Sequence, residues 1–220
     1  MNARALWVAG ALAILAGPAL ADQPKLMVHT YSSFSGKYGP GGEIEKRFEA
    51  VCGCDLQFVA AEDTGSLFGR LKLEGAASDA DVVLGLDLNY MAEAKATGLF
   101  QPHGQDLAGI KVPMGWTDDT FAPFDYGHLG FIYDSTKLAN PPTSLKDLID
   151  NPNGPKLVLQ DPRTSGPGLG FLLWMRAVYG DQADAAWEKL KPRVVTFTKG
   201  WSEAYGLFLK GDADMVMSYE

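Results

Sequence analysis

The stretch Leu157–Met175, "LVLQDPRTSGPGLGFLLWM", settles the architecture. Its first four residues read as a short buried strand. An acid, a proline, two hydroxyls and three glycines then lead into "FLLWM", a helical segment predicted to be apolar and buried all round. A strand, a Gly-rich loop and a helix in so short a span form the repeating unit of an α/β sheet, whose helices cover its strands. The loop has chemistry of its own. Thr164, Ser165, Gly166 and Gly168 lie just before the helix, so their N–H groups and hydroxyls converge either on an anion at the positive end of the helix dipole or on the helix itself as an ordinary Ser/Thr cap. The glycines are spaced G-x-G-x-G, and no acid is placed to bind a ribose, so the loop is not a dinucleotide fingerprint.

Six further segments carry the same strand signal: "LMVHTY", "LQFVA", "DVVLGL", "LGFIY", "VVTFT" and "MVMSY", each next to a helical pattern. Ile44, Phe48, Val51 and Cys52 share one helical face, and Ala204, Leu207 and Phe208 share another behind Ser202, the expected N-cap. "APFDYGHLGFIYD" followed by the Pro-rich "LANPPTSLKDL" places a crossover near residues 122 to 130 between two lobes, with one continuous sheet as the other topology. Open α/β sheets bind ligands beyond the carboxyl ends of their strands. Those ends hold Tyr31, Ser32 and Ser33, then Asp63 and Thr64, Asp87, Gln160 and Asp161, Lys199 to Trp201, and Tyr219. Carboxylates and aromatic rings dominate, a set suited to a flat or cationic ligand.

Residues 1–21 read as a secretory signal peptide: Arg4, an apolar run from Ala5 to Gly17, and the small-x-small Ala19-Leu20-Ala21. No later stretch is long and apolar enough to span a bilayer. The mature chain from Asp22 is therefore expected in a periplasm without stable membrane insertion. The 220 residues carry a net charge of -8, and losing Arg4 makes the mature chain more negative still, which argues against nucleic acid or an anionic membrane as partner. Cys52 and Cys54, the only cysteines, either pair across a separation near the upper limit for a bridge or stay free. His29, His103 and His128 are scattered, so neither a metal site nor a cofactor is expected.

The blocks "ADVVLGLD", "FAPFDYG", "DPRTSGPGLGFLLWM" and "VTFTKGWSEAYGLFLKGDADMVMSY" resemble the thiamine-binding periplasmic proteins of bacterial ABC import systems, over roughly Leu26 to Tyr219. The resemblance implies an α/β, two-lobed periplasmic binding protein fold of type II-like form, with the C-terminal part of the fold missing after Glu220. Residues 22–125 are then the first lobe and 126–220 the second. It also implies capture of thiamine, thiamine monophosphate or thiamine diphosphate and delivery to an ABC permease with its ATPase, without catalysis. Tyr31 and Tyr38 would line the cleft and Asp63 would face the ligand's polar or cationic groups. Ser165 and Gly166 would meet a phosphate, and Trp201 and Tyr219 would supply ring contacts, with Asp125 and Tyr126 at the hinge. Two alternatives share the fold: a thiamine-degrading enzyme using Cys52 or Cys54 as nucleophile, and a polyamine- or iron-binding transport protein.

Overall fold

The structure, a computed structural model, describes residues 23–113 and 115–220; the expected signal peptide lies outside them. All seven expected strands form, in two sheets. The first has the order β2-β1-β3, with β1 (Lys25–Tyr31) in the centre, β2 (Asp55–Ala61) and the two-residue β3 (Val82–Val83) all parallel. The second has the order β4-β7-β5-β6. In it β5 (Leu157–Gln160) runs parallel to β6 (Val194–Thr198) and β7 (Met215–Tyr219), while β4 (Leu129–Tyr133) is antiparallel to β7. β5 is buried along its whole length and β7 up to Tyr219. That explains why "LVLQ" and "MVMSY" read as near-continuous apolar runs: central parallel strands are covered on both faces.

Helices α1 (Ser32–Ser35), α2 (Gly41–Cys52), α3 (Thr64–Glu74) and α4 (Met91–Ala96) belong with the first sheet. Those that follow, α5 (Leu145–Asp150), α6 (Gly166–Tyr179), α7 (Ala183–Leu190) and α8 (Trp201–Lys210), belong with the second. The main core fills one side of the second sheet, where Leu157, Leu159, Met215 and Met217 meet Leu148, Ile149, Phe171, Met175 and Leu190. Phe171 is its aromatic centre, with ring centroids 5.4 Å from Phe131 and 5.3 Å from Trp187. On the opposite side Val158 and Val216 meet Ala204 on α8. Among the described residues no helix is long and apolar enough to cross a membrane.

One sequence expectation is corrected and two readings are resolved. "FLLWM" is not buried all round, because α6 packs by one face only: Phe171 and Met175 are buried, while Leu172 and Leu173 look outward. The apolar face of α2 is likewise largely open, with Ile44, Phe48 and Val51 all exposed. Cys52 and Cys54 form a disulfide whose Cα atoms are 5.2 Å apart, well inside the usual range. Gly53 between them takes the left-handed conformation at φ 64° and folds the chain back, as a helix C-cap glycine does.

The one-sided packing of α6 gives a direct test. Phe171→Ala is expected to cost roughly 3–5 kcal/mol, because it empties the centre of the core. Leu173→Ala on the outer face of the same helix should stay within about 0.5 kcal/mol of the parent. Urea denaturation of both variants checks the contrast, and comparable losses would mean that the outer face is covered.

Candidate functional site

Three helices begin close together at the carboxyl ends of strands: α3 after β2, α6 after β5 and α8 after β6. Each leaves its first N–H groups without intrahelical partners. Asp63 lies before α3 in extended conformation and caps it, accepting from the Thr64 N–H at 2.7 Å. Its carboxylate does more than cap its own helix. Oδ2 accepts from the Ser165 hydroxyl at 2.8 Å and from the Trp201 N–H at 2.9 Å, and Oδ1 accepts a longer contact of 3.5 Å from the Gly166 N–H. One buried carboxylate thus serves the starts of three helices, two of them from the other sheet.

This corrects the expected cap of α8. The helix begins at Trp201, one residue before Ser202, and Gly200 at its N-cap offers no side chain. The acceptor arrives from Asp63 instead. At α6 both sequence readings of the loop have a counterpart. Ser165 is the N-cap, accepting from the Gly168 N–H at 3.4 Å, and an anion does sit against its hydroxyl, but that anion is Asp63. Glycines allow the backbones to approach this closely. A Cβ on Gly65 would fall 2.6 Å from the Thr164 carbonyl carbon, and one on Gly166 would fall 2.8 Å from Oδ2 of Asp87. Ser66 N–H bonds to the Thr164 carbonyl at 2.9 Å across the same junction.

Around this junction lies a set of acids and rings that share one electrostatic field. Burial pushes the Asp87 carboxyl above its ordinary value, against the bond it accepts from the Asn89 N–H at 2.8 Å. Asp125 is exposed over much of its surface, yet desolvation around its carboxyl raises it too. Burial, then the charges of Asp125 and Asp63, push the Tyr31 hydroxyl up to about 12. Tyr90 is pushed up to about 12 by burial and then by Asp87 and Asp63. Tyr219 is raised further by burial and by Asp63, Asp87, Tyr31 and Asp125 together. Among the described residues no lysine or arginine pairs with Asp63, Asp87 or Asp125. The nearby Arg163 is spent on Asp161 at the surface.

Of the seven residues singled out from the sequence, six fall in this region. Tyr31, Asp63, Ser165, Gly166, Trp201 and Tyr219 are tied together by the bonds and fields just described, and Trp201 donates its indole N–H to the Ser218 hydroxyl at 2.9 Å while stacking on Tyr205 at 4.8 Å. Tyr38 is apart from them. It is 93% exposed, with Lys37 lying over its ring. Asp87 was visible as an acid at a strand end, but nothing local marked it as facing the α6 start. A histidine with two carboxylates occurs elsewhere among the described residues: His29 meets Asp79 at 2.9 Å beside Glu74, which is held by Arg70 and Ser78. The other ring nitrogen of His29 is buried without a partner, whereas a metal-bound imidazole normally donates there. The group fits an anchored loop better than a metal centre.

Residues 41–220 match the family model described as bacterial extracellular solute-binding protein. The chain is 56% identical over 208 residues to the thiamine-binding periplasmic protein of Salmonella typhimurium, covering 94% of this chain and 63% of that one. It is 54% identical over 202 residues to the thiamine-binding periplasmic protein of Brucella abortus, covering 92% and 60%. A solved periplasmic thiamin binding protein superposes with a TM-score of 0.87 at 56% identity, over 90% of this chain and 62% of that chain. A periplasmic binding protein of Actinobacillus pleuropneumoniae with fructose-6-phosphate bound superposes at 0.74 with 20% identity, a likeness of fold alone. The chain therefore spans about 60% of the length of the curated relatives it matches.

Trp201 reaches Asp63 through its backbone N–H and Tyr205 and Ser218 through its ring, and two substitutions separate the ring's contacts. Trp201→Phe keeps the stack on Tyr205 and loses the bond to Ser218, for an expected cost of about 0.5–1.5 kcal/mol. Trp201→Ala also loses the stack and is expected to cost roughly half of the ~3–5 kcal/mol typical of a fully buried tryptophan. Chemical denaturation measures both, and a full core-scale loss in Trp201→Ala would place the indole in the core.

Proposed function

The chain belongs to the bacterial extracellular solute-binding protein family, and from that membership we propose that it captures thiamine or a thiamine phosphate ester between its two sheets. In this reading it works in the periplasm and hands the vitamin to an ABC permease driven by an ATPase. The observation that carries the proposal is the acidic, aromatic nest, which among the described residues has no paired lysine or arginine. Thiamine is a flat aminopyrimidine joined to a thiazolium cation. Asp87 and Asp125 supply charge that is costly until a cation arrives. Tyr31, Tyr219 and Trp201 supply faces on which a ring can lie. Relatives with 54–56% identity carry the thiamine-binding name, which supports the same ligand here.

The phosphate of an ester has a narrower case. Its expected donors, the Ser165 hydroxyl and the Gly166 N–H, already serve Asp63, so an ester enters only in exchange with that carboxylate. The nucleophile reading loses its residue, since the two cysteines are joined to each other and neither is a thiol. Binding works by population: a ligand that contacts both sheets favours their approach by as much as its affinity differs between the separated and joined states.

Asp87 tests the proposal because its two effects have opposite sign. Its folded-state carboxyl is raised, so the stability it contributes is full below the ordinary carboxylate range and is lost as pH rises through the raised value. Asp87→Asn should therefore raise the melting temperature at pH 7, with the gain shrinking toward zero in acid. The same substitution should weaken thiamine by about tenfold, on the scale of one charge-assisted contact. Calorimetric titration with thiamine decides it, and undiminished affinity would remove Asp87 from the site. Recovery of unaltered thiamine after long incubation with a nucleophilic amine is the companion expectation, and turnover would replace transport with catalysis.

A further inference from the structure

We infer that Asp63 is an internal latch: its carboxylate takes the place of a bound anion at the starts of α6 and α8 and so ties the second sheet to the first. Four donors converge on it, and only the Thr64 N–H belongs to its own segment. The Ser165 hydroxyl, the Gly166 N–H and the Trp201 N–H come from residues after β5 and β6. A carboxylate whose sole task was to cap α3 would need only the Thr64 bond. Here α8 has no side-chain cap of its own and depends on the partner sheet for its acceptor. The site is closed to water, with Ser165 fully buried and Asp63 5% exposed, so these charge-assisted bonds are not exchanged for hydration while the sheets stay together.

The packing agrees with this assignment. Leu169, in the first turn of α6, lies against the Phe68, Tyr90 and Ala94 cluster of the first sheet, so an apolar contact accompanies the polar one. Separating the sheets would expose both, leaving the carboxylate with α3 alone and the starts of α6 and α8 without an acceptor. The inference holds whatever ligand the cleft takes and goes beyond the thiamine reading, in which Asp63 is only a contact. Asp63 is here a positioning residue: it holds Ser165, Gly166 and Trp201 in register with the first sheet.

Spin labels measure the separation directly. Cysteines introduced at Leu73 on α3 and Asp181 beyond α6 are both strongly exposed, and the native pair is sealed in its disulfide, so only the new thiols react. Without ligand, the parent should populate mainly the shorter distance, with a minor longer-distance population. Asp63→Ala should raise the ratio of a longer-distance population about 10- to 100-fold, and added acetate should reverse the change by refilling the anion position. Ser165→Ala leaves the α3 cap intact and should shift the distribution the same way by less, which keeps the test decisive if Asp63→Ala does not fold. An unchanged distribution in folded Asp63→Ala or in Ser165→Ala overturns the latch, as does a shift in Asp63→Ala that acetate does not touch.

Discussion

A carboxylate shared among helix starts is the constraint on which the arrangement depends. Every helix end leaves N–H groups that must be satisfied, and a buried end has no water to satisfy them. Three such ends meet where the two sheets approach, and their positive dipole ends would repel if nothing negative lay between them. Asp63 supplies that charge. The glycines around it are then required, because carboxylate and backbone meet without room for a Cβ at Gly65 or Gly166. The position of Asp87 follows, since its carboxylate lies over Gly166.

The same geometry sets stability against function. Asp63 is compensated by donors, whereas Asp87 and Asp125 are held above their ordinary values with little to offset the loss of water. Carboxyls raised in this way weaken a fold at neutral pH, and under the proposed function a bound cation would offset that cost. The surface follows the opposite rule. Asp161 with Arg163, Asp134 with Thr136 and Asp147 with Thr143 are held below the ordinary carboxylate range by donors beside them.

The sequence was most legible where structure is local. All seven strands could be read because short β-branched or apolar runs bounded by turn residues mark them, although β3 shortens to two residues. Six of the seven residues singled out lie near one another because they sit at or just after strand ends, which share one edge of an open α/β sheet. What escaped depended on distant partners. Ser202 looked like the cap of α8 because a local donor–acceptor pattern cannot reveal that Asp63, 138 residues away, supplies the acceptor. The anion character of the α6 start was readable, but not that the chain fills it itself. "FLLWM" offered no polar residue to mark the open face of α6, so its orientation was hidden in composition.

Helix α6 spans two environments. Its first turn is bedded through Leu169 among Phe68, Tyr90 and Ala94, while Phe171 and Met175 are locked into the core of the second sheet. A helix is stiff over so short a distance, so α6 cannot bend to absorb a change in sheet separation. A change in sheet separation is therefore taken up at the helix start, where Leu169 is the apolar side chain that joins α6 to the cluster beside the first sheet.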